Sequence, residues 1–162
     1  MEDLTAWLRA TIEADLAQAK AADEAAPGPW VNAGQAGLGD AWQIHGGPSG
    51  EEEPDWEAPG WASKPVPIRV ATLNYDDGGG VWEKAAADHM VLQQPRDTIA
   101  RCEADLAMLD LHKPGEYGEC VTCHVGAQSC GCCGWGDFPC DTVQLLARGR
   151  RHRPGFKPSW LD

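Results

Sequence analysis

Residues 120 to 142 read CVTCHVGAQSCGCCGWGDFPCDT, and this stretch holds six of the seven cysteines of the chain. It opens with Cys120 and Cys123 in a Cys-x-x-Cys spacing and closes with Cys140 inside a Pro-Cys-Asp-Thr segment. A Cys-x-x-Cys turn lets two thiolates hold one tetrahedral ion. In a reducing compartment, such a density of cysteine indicates metal binding before disulfide formation. The sequence therefore predicts a structural Zn²⁺ ion that completes the fold.

The stretch offers more ligands than one zinc ion can take, and two sets of four are possible. The first set joins two Cys-x-x-Cys pairs: Cys120, Cys123, Cys130 and Cys133. The second set takes its ligands from a helix end, a turn and a helix start: His112, Cys120, Cys123 and Cys140. We favour the second set because it would tie two helices together and because a helix N-terminus stabilises a thiolate. An exchange in which Cys130 or Cys133 replaces His112 or Cys140 stays open, and His124 is a further candidate.

The cysteine pattern favours structural zinc over three other chemistries. Ferredoxin-type clusters need a regular run of cysteines, which the spacing of Cys130, Cys132 and Cys133 breaks. A thioredoxin-like redox motif needs a βαβ context that this stretch lacks. A hydrolytic zinc site keeps an open coordination position beside a general base, and the chain contains no His-Glu-x-x-His motif. We therefore predict no catalytic residues in the cysteine stretch.

Helical patterns flank the cysteines. Before them, Ile99, Cys102, Leu106 and Leu109 recur at spacings of three and four, which predicts a helix from Pro95 to His112 with Cys102 as a small buried hydrophobe. After them, an apolar helix begins at Asp141. At the N-terminus, the spacing of Leu4, Leu8, Ile12 and Leu16 predicts a helix over residues 1–26.

The middle of the chain has the composition of strands and loops. Short β-rich runs at residues 41–45 and 68–73 predict a small antiparallel sheet, and residues 81–93 predict a further helix. Between the runs, residues 46–67 are acidic and rich in Pro and Gly, which predicts a solvated loop that holds Trp56 and Trp61. Together these patterns predict a single α+β domain over residues 1–162, stapled by a metal-binding segment at residues 112–147.

The charge of the chain is unevenly spread. The net charge is −12, yet four arginines cluster near the C-terminus: Arg148, Arg150, Arg151 and Arg153. An acidic body repels phosphate backbones, so broad nucleic-acid binding is not expected. We interpret the arginines as partners of the helix dipole and of the acidic body, while a nucleic-acid contact through them stays an alternative. No signal peptide and no apolar run of about 20 residues is present, so we expect a cytoplasmic protein outside the membrane.

The C-terminal half resembles a known family in the order of its motifs. These are Leu109-Asp-Leu-His112, Cys120-x-x-Cys123, Pro139-Cys140-x-Thr142, His152-x-Pro154 and Trp160. The order resembles an uncharacterised family of small actinobacterial and actinophage proteins. The resemblance implies the ligand set His112, Cys120, Cys123 and Cys140, and it implies that Cys130, Cys132 and Cys133 belong to an insertion. The family has no established activity, so the resemblance implies none here.

Three function classes follow from the sequence. The first is a non-enzymatic interaction or regulatory protein of phage or host origin, with a protein partner, because no catalytic constellation is present. The second is a nucleic-acid-binding accessory protein that uses the segment from Arg148 to Arg153. The third is an enzyme whose polar residues assemble in space; its candidates are Asp40, His45, Asp76, Asp77 and His89. The sequence leaves the oligomeric state open.

Overall fold

The computed structural model describes residues 4–35, 41–55, 60, 62–71, 81–123 and 138–160. They form an α+β fold with a three-stranded antiparallel sheet, which confirms the predicted fold class. In chain order the elements are α1 (Leu4–Ala25), β1 (Val31–Gln35), β2 (Trp42–Pro54), β3 (Ser63–Ala71), α2 (Lys84–Leu92), α3 (Pro95–Leu111), α4 (Asp141–Gly149) and a 3-10 turn (Pro158–Trp160). Among the described helices, none is both long and apolar enough to span a bilayer.

The chain groups into two compact units. One unit comprises Met1–Ala17 and Ala100–Asp162, and the other comprises Gln18–Ile99. We call them the terminal unit and the sheet unit. The helices α1 and α3 each contribute one part to each unit. That the chain forms a single domain stays a prediction.

The core of the terminal unit contains the apolar stripe of α1. Leu4, Leu8 and Ile12 are buried at the predicted spacing of four. They share one cluster with residues of α3, of α4 and of the segment between them: Cys102, Leu109, Cys120, Cys140, Val143 and Ala147. Burying a side chain such as Leu8 or Ile12 completely contributes about 1.5–3 kcal/mol. The prediction that Cys102 is a buried hydrophobe is confirmed.

Aromatic side chains close the C-terminal end of the terminal unit. The Trp7 ring lies 5.6 Å from the Phe156 ring and 5.1 Å from the Trp160 ring, centroid to centroid. Trp7 Nε1 also donates a hydrogen bond to the Pro154 carbonyl at 3.0 Å. Such tilted aromatic pairs add to the free energy of burial. These contacts pack the C-terminal residues Phe156 and Trp160 onto α1 within this unit.

The sheet unit has β2 at the centre of its described sheet, in the order β1-β2-β3. Ile44 of β2 is fully buried. The helix α2 packs against β1 and β2, and one link between them is a 2.8 Å hydrogen bond from Asn32 Nδ2 to Asp88 Oδ1. Hydrogen bonds from Lys84 and then Asn32 lower the pKa of Asp88 below its usual value.

The prediction of an acidic loop over residues 46–67 is wrong for most of its length. β2 continues to Pro54, and β3 begins at Ser63 and pairs with it. The prolines do not prevent the pairing, because the register shifts between His45 and Pro48 and again between Pro48 and Glu52, and because β3 lies at the edge of the described sheet. Glu51, Glu52 and Glu53 are exposed to solvent on this two-stranded ribbon. Trp56 and Trp61 lie outside the described residues.

Candidate metal centre

Two helix ends position two of the predicted ligands. α3 ends at Leu111, and the His112 amide still donates to the Met108 carbonyl at 3.0 Å, so the imidazole follows directly from the last turn. Pro114 then prevents the helix from continuing. Cys140 is the N-cap residue of α4, with an extended backbone, and its carbonyl accepts the Gln144 amide at 3.0 Å. The Cys140 sulfur therefore lies at a helix N-terminus, where negative charge is stabilised.

A short hairpin between residues 113 and 121 positions Cys120. An antiparallel bridge joins Pro114 to Cys120, the Val121 amide donates to the Lys113 carbonyl at 3.1 Å, and the Gly115 amide donates to the Glu119 carbonyl at 2.7 Å. Gly118 has a φ of 83°, which a residue with a side chain rarely adopts. We call this segment the knuckle hairpin. It returns the chain from the end of α3 to the Cys120–Cys123 turn.

A carboxylate and a hydroxyl reinforce this segment. The Glu119 carboxylate accepts the Tyr117 amide at 2.9 Å, and the Thr122 hydroxyl donates to the Leu111 carbonyl at the end of α3. The sequence reasoning identified neither residue. The spacing of Gly115 and Gly118 was the available signal, since two glycines after a proline indicate a tight turn.

The four side chains of the favoured set converge on one point. From His112 Nδ1, the distance to the sulfur is 3.5 Å for Cys120, 3.6 Å for Cys123 and 3.4 Å for Cys140. All four ligand atoms lie within 4.8 Å of one another. A tetrahedron with Zn–S bonds of ~2.3 Å and a Zn–N bond of ~2.0 Å has N-to-S edges of ~3.5 Å. The cluster thus has the dimensions of a single tetrahedral metal ion's coordination shell.

The cysteines of the cluster perturb one another strongly. Burial alone would raise the pKa of Cys120. Hydrogen bonds from the Cys123 amide and from His112 outweigh this effect and lower the pKa to about 7. Burial and hydrogen bonding to Cys120 and Cys140 raise the pKa of Cys123 to about 12. One thiolate is therefore stabilised by its neighbours, while a second negative charge beside it is strongly disfavoured. A cation at the centre would remove this conflict, since it attracts every thiolate at once.

The described residues do not test every candidate. His124, Cys130, Cys132 and Cys133 lie outside them, and so do Asp40, Asp76 and Asp77. Of the two histidines proposed for an enzyme site, His45 contacts Gln43 at 3.1 Å and His89 is exposed on α2. Within the described part of the chain, neither histidine belongs to a cluster suited to a metal ion.

The C-terminal arginines divide into two pairs. Arg150 forms an ion pair with Asp105 at 2.5 Å, with only 16% and 22% of the two side chains exposed, and Arg153 pairs with Asp15. Arg148 and Arg151 are exposed. Two of the four arginines thus contact carboxylates of the terminal unit itself, which supports their interpretation as partners of the acidic body.

The fold and the cluster define a small α+β protein with three cysteines and one histidine positioned to hold a metal ion. The chain belongs to a family of unknown function, DUF6221, whose model matches residues 1–162. The predicted membership in a family without a known function is confirmed at this level. No curated protein and no solved structure matches the chain.

Proposed function

We propose that the cluster is a structural zinc site and that the protein is a zinc-stabilised, non-enzymatic interaction or regulatory protein. The observation that carries this proposal is the set of three sulfur atoms at 3.4–3.6 Å from one imidazole nitrogen. These distances leave space for one ion with bonds of ordinary length to all four atoms.

The donor set favours zinc among the biological metals. Thiolate and imidazole are the donors of zinc sites, whereas calcium and magnesium take oxygen ligands. Three thiolates and a neutral imidazole around Zn²⁺ leave one net negative charge, which the N-terminus of α4 at Cys140 would stabilise. An iron–sulfur cluster spreads its ligands around several iron atoms, and four donors within 4.8 Å of one another are too close together for that.

The site is proposed as structural because its four protein ligands complete a tetrahedral shell. Catalytic zinc keeps a fourth position for water or substrate. Here that position is taken by a side chain, and the ion would join the end of α3, the Cys120–Cys123 turn and the start of α4. Such an ion stabilises the folded state because the unfolded chain does not hold the ligands together. Thiolate ligands persist in a reducing compartment, so the cytoplasm of a phage-infected or host actinobacterium is the setting that we propose.

The nucleic-acid alternative is less well supported. It needs a free row of arginines, while Arg150 and Arg153 are in ion pairs. Arg148 and Arg151 alone would give a weak, salt-dependent contact.

Metal analysis tests the structural zinc site directly. We expect about one zinc and no iron per chain in protein purified without added metal. Cobalt(II) exchanged into the site should show the intense visible absorption of a tetrahedral ion together with thiolate charge-transfer bands. Azide should leave this spectrum unchanged, because a closed shell has no position for it. A spectrum that changes with azide would indicate an open, catalytic type of site, and a protein without metal would contradict the proposal.

A further inference from the structure

Large apolar side chains are exposed around the metal centre. Leu111 at the end of α3 is 62% exposed, Tyr117 of the knuckle hairpin is 85% exposed, and Val121 and Met108 are exposed as well. We call these four residues the knuckle face. Exposed Leu and Tyr that cluster in one region of a soluble protein indicate an interaction site.

The backbone brings the four residues together. Met108 and Leu111 are three residues apart on α3 and therefore neighbours on its surface. The Thr122 hydroxyl binds the Leu111 carbonyl, and the Val121 amide binds the Lys113 carbonyl at 3.1 Å, so Val121 returns beside the end of the helix. Tyr117 lies in the turn of the same hairpin. Their separation in sequence is thus bridged by hydrogen bonds of the knuckle hairpin.

Carboxylates outnumber cations by one around the knuckle face once its ion pairs are counted. Residues 100–123 hold five carboxylates against two cations: Glu103, Asp105, Asp110, Glu116 and Glu119 against Arg101 and Lys113. Arg150 and Arg9 pair with two of these carboxylates, Asp105 and Asp110. Glu116 and Glu119 lie one and two residues from Tyr117, whose ring is the most exposed aromatic ring among the described residues. A zinc ion bound by three thiolates adds one further negative charge. A partner surface that complements this face would carry both apolar side chains and positive charge.

We propose that the knuckle face docks a cationic amphipathic helix of a partner protein, with an apolar stripe on the four side chains and lysines or arginines toward Glu116 and Glu119. Such a helix presents both kinds of group on one element. The inference rests on the proposed structural zinc, since the ion fixes the hairpin that carries the face. A second copy of this chain is a poor occupant, because it would bring the same negative charge to the interface.

Peptide titration tests the docking surface. The probes are a fluorescent amphipathic helical peptide of Leu and Lys and a matched peptide in which Glu replaces Lys. We expect the cationic peptide to bind and the anionic peptide not to bind. The double variant Leu111→Ser, Tyr117→Ser should weaken binding at least about tenfold, as expected for central apolar contacts. The control is Leu92→Ser, since Leu92 is 70% exposed in the sheet unit, and it should bind like wild type.

Three results would overturn the inference. The first is equal binding of both peptides, and the second is unchanged peptide binding by the double variant. The third is a dimer of the wild-type protein in sedimentation that the double variant abolishes, because a second copy would then occupy the face. Zinc content and melting temperature are measured for every variant. Zinc-loaded, stable protein that binds neither peptide refutes the docking surface alone. A metal-free protein refutes the structural zinc site, whatever the peptides do.

Discussion

Replacing Cys140 by Ser should release the metal and destabilise the protein. The proposed zinc site would join His112 to Cys140 across 28 positions of sequence. A cross-link that closes a loop of this length stabilises the folded state by roughly 3–4 kcal/mol in the chain-entropy account used for disulfides. For a chain of this size, each kcal/mol shifts the melting temperature by about 2–4 °C. The expected decrease is therefore roughly 6–16 °C, together with loss of zinc.

The assay is elemental analysis followed by thermal unfolding with and without a zinc chelator. The matched control is Cys102→Ser, another buried cysteine of the same core cluster that is not a predicted ligand. A buried hydroxyl destabilises this variant too, by about 1–3 kcal/mol, but it should keep its zinc and lose stability when chelator is added. Cys140→Ser should be insensitive to chelator. If Cys140→Ser retains a full zinc ion and melts like the Cys102 variant, the reasoning fails and the ligands must be sought at Cys130 and Cys133.

Three further predictions concern pH and packing. Three thiols must lose their protons to bind zinc, among them that of Cys123, whose pKa is raised to about 12 by burial and by its neighbours. Zinc affinity should therefore fall at least about tenfold for each pH unit of acidification, as chelator competition would reveal, and a flat profile would contradict thiolate ligation. Asp88→Ala should destabilise the sheet unit at neutral pH. Because the folded-state pKa of Asp88 is lowered, the difference in unfolding free energy between variant and wild type should vanish in denaturant titrations as the pH falls through that pKa. A difference that stays the same at low pH would exclude this cause. Ile44→Ala should cost about 2–5 kcal/mol in the same titrations, whereas Val31→Ala at an exposed position should cost far less.

The approach of His112 to Cys140 could be anticipated from the sequence because the boundaries of the flanking helices can be predicted there. Pro114 ends one helix next to His112, and Cys140 precedes the start of another, so both side chains were expected at facing ends. The structure brings them within 3.4 Å of each other. What the sequence could not supply is the path between them. The knuckle hairpin depends on hydrogen bonds of Glu119 and Thr122, whose residue types are common in every kind of turn.

The two-stranded ribbon of β2 and β3 could not be predicted in this way, because its composition indicates a loop. Residues 46–54 are polar and carry proline and glycine, all of which are depleted in strands. The structure still pairs them with β3, using Lys64 opposite Glu53 and a hydrogen bond between Ser63 and Glu52. Cross-strand pairs depend on a partner segment that is distant in sequence, so local composition does not reveal them.

The prolines of β3 affect how the sheet edge could pair with other molecules at high protein concentration. Pro65 and Pro67 carry no amide hydrogen, and they alternate along the border strand of the described sheet. A strand from another molecule would find no amide donor at these two positions, which makes β3 a poorer template for a ladder than a strand without proline. The prolines that made this tract look unsuited to a strand would thus disfavour edge-to-edge aggregation along β3.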